Sequence, residues 1–335
     1  MANQNTGIVR FAVQAAEGTA ASASTFGLKM AGGSMPQIRA DDQVYREADG
    51  LQAPSKMFRA ESWVEGAPEF HVYPKSIGAL LYLLLGGYSV SGANDPYTHT
   101  ITPADEPPFG TLFTNMGGLY YEVLQDMRIS QLVIRGTAGG LLTAAVTWVG
   151  KKGVYDDAEE TTATPEITQI FRYHDARAAL KVEGTAVATM RDYTLTITRN
   201  VNRIGGDDLH PVALDMGALD VTCQATVKVT SAALRNRIMF GGATPTAADV
   251  VVKDVLEAAG SPAGLEFTHT RVATSPGPER SLKLAVPLVA VVPFEVPITT
   301  EPGQLYIPLQ FQALKGGSAL ITATVKNDVA TYVPS

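Results

Sequence analysis

The chain has 335 residues, a net charge of −7, 18% charged residues, one cysteine and five histidines. That length suffices for two cores of ordinary domain size without disulfides or metals. Cys223 has no internal partner and no His meets a second His or Cys at metal-ligand spacing, so neither structural zinc nor a cofactor is expected. The acidic balance, heaviest in the first 160 residues, argues against a protein that grips nucleic acid through clustered Lys and Arg.

Met1-Ala2-Asn3-Gln4-Asn5 lacks the basic and then apolar pattern of a signal peptide, and the apolar run around Leu80 and Leu85 is far below the roughly 18 residues of a membrane span. A soluble, cytoplasmically made protein is expected, with residues 1–20 as an arm. The 31 Gly and 20 Pro, with short Thr- and Val-rich runs between them, predict a mainly β chain. Residues 76–87 read as a short helix capped by Ser76 and stopped by Gly86-Gly87. Strands follow at 128–135 and 141–149, turned by Gly139-Gly140, and the acidic stretch 151–164 reads as a linker.

Tyr193, Leu195 and Ile197 alternate with Thr194, Thr196 and Thr198; Leu219, Val221, Cys223, Ala225 and Val227 alternate with Asp220, Thr222, Gln224, Thr226 and Lys228. A period of two puts one set on a core and the other on water, and the two strands are expected to pair as a long antiparallel hairpin with a loop over 199–217. Residues 231–242 repeat the short-helix pattern, and 246–259 read as a third helix with Thr246 as N-cap and Gly260 as stop. Strands close the chain at 282–292, 305–313 and 320–326, with Gly316-Gly317 in a turn.

Four echoes suggest one domain present twice. Residues 76–87 recur at 231–242, Ile38 with Asp41-Asp42 recurs as Ile204 with Asp207-Asp208, Tyr97-Thr98-His99-Thr100 recurs as Phe267-Thr268-His269-Thr270, and residues 141–146 recur at 320–325. Their order is conserved along the chain, which scattered chance matches would not give. The expected organisation is an arm over 1–20, a first β domain over 21–150, a linker over 151–165 and a second β domain over 166–333.

No catalytic pattern is present: no nucleophile elbow, P-loop, H-E-x-x-H or dinucleotide fingerprint. The acid pairs lack the alternating oxygen ligands of a calcium loop and read as solvated loop carboxylates. His99 and His269 read as strand-face residues, Trp63 and Trp148 as core, and Cys223 as a small hydrophobe.

Ser76-Ile77-Gly78-Ala79-Leu80-Leu81-Tyr82-Leu83-Leu84-Leu85-Gly86-Gly87, followed by Pro96-Tyr97-Thr98-His99-Thr100-Ile101-Thr102-Pro103, Gly118-Leu119-Tyr120-Tyr121-Glu122-Val123 and Gly140-Leu141-Leu142-Thr143-Ala144, resembles the tail tube (major tail) proteins of long-tailed, siphovirus-like bacteriophages. Asp192-Tyr193-Thr194-Leu195-Thr196-Ile197 and residues 217–229 continue the likeness, which covers residues 20–330. The arms and residues 246–259 depart from it. The resemblance implies a virion tail protein and no enzyme: duplicated β-sandwich or β-barrel domains whose inner sheets form a shared β-barrel tube, with stacked rings through which viral DNA passes. Family rings are six-fold or pseudo-six-fold, so a duplicated chain implies a homotrimeric ring; a homohexamer is the alternative. The implied partners are further copies of the chain, a tape-measure protein, tail-tip and tail-terminator proteins, and DNA in transit, with no membrane.

A conduit confines a polyanion without binding it, since each wall cation adds a phosphate contact. The expected lumen-facing residues are Glu69, His71, Thr194, Thr196, Thr198, Thr222, Gln224 and Thr226, with Glu69 and His71 matched to Gln224 and Thr226. Arg199 and Lys228 stand against that reading unless paired or at strand ends. Loops 32–58 and 201–216 are expected to meet the next ring through Arg39, Asp41, Asp42, Arg203, Asp207 and Asp208. Competing readings are another virion part (a tail terminator or capsid decoration protein), a carbohydrate-binding β module, which the 7% aromatic content disfavours, and an enzyme sited between duplicated domains.

Overall fold

The computed structural model describes residues 7–45, 56–118, 120–167, 169–176, 180–182, 185–187, 190–228, 236, 240, 255–257, 264–271, 278–292, 306–315 and 319–334. Apolar–polar alternation becomes strand along most of that length. In chain order the elements are β1 (Gly7–Val13), β2 (Phe26–Tyr45), β3 (Lys56–His71), α1 (Pro74–Leu85), β4 (Gly86–Ser91), β5 (Tyr97–Pro103), β6 (Gly110–Met116), β7 (Tyr121–Thr137), β8 (Thr143–Gly150) and β9 (Lys152–Asp156). They continue with β10 (Leu180–Val182), β11 (Thr185–Val187), β12 (Met190–Ile204), β13 (Ala213–Lys228), β14 (Val255–Glu257), β15 (Leu265–Arg271), β16 (Arg280–Val286), β17 (Leu288–Val292), β18 (Tyr306–Ala313) and β19 (Thr322–Asn327). The fold is mainly β, as expected, in two antiparallel sheets of 12 and 7 strands.

Two sets of strands follow one pairing scheme. In the first, β1 pairs with β2 and β6, β6 with β7, β7 with β8 and β9, β8 with β3, and β3 with β2. In the second, β10 pairs with β11 and β15, β15 with β16, β16 with β19, β17 with β18, β18 with β13, and β13 with β12. The schemes coincide when β11 with β12 stands for β2 and β16 with β17 stands for β7. Each long strand changes neighbours at a local device. In β7 this is Asp126, at φ 53, a conformation costly for a non-glycine residue. Its side chain accepts from the Gly18 N–H at 2.8 Å and Gln14 Nε2 at 3.2 Å, and its own N–H donates to Gln14 Oε1 at 3.1 Å. In the second set Pro287, which has no N–H to give a ladder, separates β16 from β17.

The sets join side by side. β12 pairs with β7 from Asp192↔Thr137 to Thr198↔Gln131, and β19 pairs with β5, which pairs with β4. One register row therefore crosses eight strands: Val291, Phe311, Cys223, Leu195, Ile134, Ala144, Phe70 and Met30. Phe311, Cys223, Leu195, Ile134, Ala144 and Phe70 are buried, each large apolar side chain among them contributing about 1.5–3 kcal/mol relative to exposure. Helix α1 packs on the core side against β7, β5 and β19. Pro74 fits its first turn, where an N–H would lack a partner, and Leu80, Leu81, Leu83, Leu84 and Leu85 are all buried, so the helix has almost no water-facing stripe.

Several expectations change. Ser76 is buried inside α1; the N-cap is Tyr73 without a side-chain cap, while Gly86, at φ 92, does end the helix. Gly7–Val13, expected in an arm, is a paired strand containing fully buried Phe11, and the acidic linker contains β9. Of the expected loop 32–58, residues 32–45 and 56–58 are strand, in β2 and β3, and 46–55 lie outside the described residues; in 201–216 the β12–β13 connection shrinks to 205–212. Within the expected helix 246–259, Val255–Glu257 is strand; the rest of it, most of 231–242 and Gly316-Gly317 lie outside the described residues. Two echoes pair the wrong strands. β15 holds the place of β6, so Phe267-Thr268-His269 belongs with β6 rather than with Tyr97-Thr98-His99 of β5. Likewise β18 holds the place of β8 and β19 that of β9, which separates residues 141–146 from 320–325. Thr and Val alternation is common to all these strands, so short echoes slide between them.

Candidate lumenal face and hairpin end

Because side chains alternate, the row beside the buried one points the other way. It runs Ala290, Gln312, Thr222, Thr196, Val133, Ala145, Glu69 and Gly32, and the next row on the same face runs Gln310, Gln224, Thr194, Arg135, Thr143 and His71. Glu69, His71, Thr194, Thr196, Thr198, Thr222, Gln224 and Thr226 thus share one face of one continuous sheet. In ladder register Glu69 lies level with Thr222, and His71 with Gln224.

The face is rich in threonine and glutamine and internally bonded. Gln131 Nε2 donates to Thr198 Oγ1 at 3.2 Å, Gln312 donates to Asp220, and Arg135 pairs with Glu69 at 4.0 Å across β8. Arg199 is not on it. Its odd-numbered position turns it inward, 6% exposed, where Nη2 donates to the Asp105 carbonyl at 2.7 Å and burial lowers its pKa. Lys228 is on the face, at the last position of β13. Gln310, Gln312, Arg135 and Thr143 were missed; alternation over residues 306–313 already marked the first two.

The six expected contact residues gather at one end. Ser62 N–H donates to the Leu209 carbonyl at 2.8 Å and His210 Nδ1 lies 3.1 Å from the Ser62 carbonyl, tying the β12–β13 connection to β3. Arg203 lies over the Trp63 ring at 3.8 Å and 3.9 Å from Glu61, and these face Arg39 and Asp41 in the β2–β3 register. Asp42 pairs with Arg59 at 3.2 Å, and Asp208 accepts from the Leu209 N–H at 2.6 Å. Asp207 is exposed beside them. Trp63 is therefore a partly exposed platform rather than core, whereas Trp148 is 1% exposed. Val44, Met57 and Phe58 leave the hairpin's outer part with exposed apolar surface.

The buried titratable groups are structural. His99 bonds Tyr88 OH at 2.9 Å and Asn327 Oδ1 at 3.0 Å; His269 bonds Tyr193 OH at 2.6 Å. Burial holds both below the usual histidine range, His269 at about 4. Burial pushes the Glu166 carboxyl up to about 7, against the Lys75 N–H and charge, and pushes the Cys223 thiol far up. Among the described residues no three His, Cys, Asp or Glu could hold a metal, and no helix is long and apolar enough to cross a membrane.

The described strands form one broad sheet with a buried face and a polar face rich in threonine and glutamine. The family model for the phage tail tube protein matches residues 4–313, nearly the whole chain, and the chain belongs to that family. A search of curated proteins gave no significant match. As a tail tube protein it is a structural component of the virion tail, which self-assembles into a tube.

Proposed function

We propose that the chain is a two-unit tube subunit, three copies closing a ring with pseudo-six-fold symmetry and the rings stacking into the conduit for viral DNA. The repeated pairing scheme supports this most directly, because β12 and β7 already join one unit to the next by an antiparallel ladder of seven residue pairs. The same junction repeated between copies sets β2 of one copy along β17 of the next and leaves no open edge in the inner sheet. The units then run over residues 7–156 and 180–327, since β1 and β9 belong to the first scheme.

The threonine and glutamine face lines the lumen. With Arg135 held by Glu69, sliding phosphates meet short neutral groups and few free cations. The hairpin end carrying Arg39, Asp41, Asp42, Arg203, Asp207 and Asp208 stacks on the neighbouring ring, and the tape-measure, tail-tip and terminator proteins meet the lumen and the tube ends. The role is non-enzymatic, and synthesis and assembly take place in the bacterial host cytoplasm.

Electron microscopy of purified protein without imposed symmetry, with light scattering, tests the assembly. Rings of three chains are expected; rings of six would remove the trimer, and monomers at high concentration would remove the tube. Thr194→Lys with Thr222→Lys should leave tubes intact but slow DNA ejection in reconstituted particles, and unchanged ejection would place this face outside the lumen. Charge reversal of Asp207 and Asp208 should preserve the fold and shorten the tubes; tubes of unchanged length would exclude that contact.

A further inference from the structure

β14 occupies an edge that the ring proposed above needs free. Within the chain, the first strand set meets the second through two ladders, β7 on β12 and β5 on β19. In the second set β17 holds the place of β7, so its outer edge is the one that would take β2 of another copy. The first part of that edge is already covered, with Val255 opposite Ala290, Leu256 opposite Val289 and Glu257 opposite Leu288.

The other ladder indicates where β14 goes instead. The β4–β5 hairpin lies in the chain between α1 and β6, and reaches across to pair with β19 of the other set. β14 stands at the corresponding chain position, after helical residue 240 and before β15, which holds the place of β6. The counterpart of β19 is β9. Among the described residues β9 pairs with β7 alone, and it exposes Val154 at 48% and Tyr155 at 68%. An open edge with bare apolar side chains invites an added strand.

We propose that, resting on the ring reading, β14 leaves its own β17 when rings form and adds to β9 of the neighbouring copy, while the released β17 edge takes β2 of that same neighbour. The partner is a second copy of this chain. One neighbour serves both contacts, because β7 and β5 of the first set both meet the second set, and β2 and β9 belong together in the first. In the free subunit β14 then acts as an edge cover, with three residue pairs exchanged for a longer ladder on assembly.

Val255→Cys with Ala290→Cys places a disulfide across the β14–β17 ladder, and buried Cys223 lies out of reach. Oxidised protein should remain unassembled, and reduction should restore ring formation to the wild-type rate. Oxidised protein that assembles like the reduced form overturns the exchange. Val154→Lys with Tyr155→Lys, at exposed positions, should raise the concentration needed for rings at least tenfold without changing the melting temperature of the free subunit; unchanged assembly overturns β9 as the acceptor. Hydrogen exchange should show new amide protection over residues 152–156 on ring formation, and none overturns that pairing. Wild-type protein that forms no rings overturns the ring reading itself, and the exchange with it.

Discussion

The two faces of the β12–β13 ladder differ in kind though they alternate residue by residue. On one, Leu195, Ile197, Val221, Cys223 and Val227 are almost fully buried; on the other, Thr194, Thr196, Thr198, Thr222 and Thr226 remain partly open. The buried face spends its residues on stability, with ring stacking of Tyr193 on Phe267 at 4.8 Å and on His269 at 5.7 Å. The open face contributes little to the fold, so its composition is free to serve the tube. Substitutions should separate the two by the size of their effect on the free subunit.

The largest loss is expected from Phe311→Ala, which leaves a cavity in the buried eight-strand row and should cost about 3–5 kcal/mol in chemical denaturation. A cost under about 1 kcal/mol would mean that the row is not packed as described. Next comes acid. The unfolded chain takes up a proton at His269 near the ordinary value of 6.5, whereas the folded protein refuses it until about 4. Stability should therefore fall as pH drops through that window, by about 3 kcal/mol from this group. His269→Gln should flatten the slope of melting temperature against pH there, and an unchanged slope would remove the assignment. Glu166 works in the opposite direction: its stabilising contribution is present below its ordinary 4.5 and is lost as pH rises through about 7.

Effects on the open face should be much smaller. Glu69→Gln removes the partner of Arg135 at 4.0 Å, both side chains being partly exposed, and should change stability by less than about 1 kcal/mol. Thr196→Ala should stay within about 0.5 kcal/mol. A loss of several kcal/mol at Thr196 would show that this face is buried in the free subunit and would dissolve the comparison.

Legibility in the sequence followed the range of the signal. β12, β13, β16 with β17, and β18 were readable because alternation is local to the strand, and α1 because its leucines and Gly86 are contiguous. The β2–β3 hairpin was not. Gly, Pro and charged residues in Gly32-Gly33-Ser34-Met35-Pro36 and Arg39-Ala40-Asp41-Asp42 resemble a loop, yet register shifts absorb the irregularities while the partner strand supplies the ladder. At Arg199 the charge suggests water, but its parity in β12 turns it inward.

The sequence by itself determined which residues of each strand face oil and which face water, since period-two alternation is a property of the covalent chain, and it carried the tail tube pattern across nearly its full length. Only the tertiary structure decided which strand lies beside which: that β12 meets β7, that β15 answers to β6 rather than to β5, and that β14 sits on the edge of β17. Neighbour choice rests on hydrogen bonds between residues distant in sequence, and strands with the same Thr and Val alternation offer the same local pattern to every partner until packing selects one.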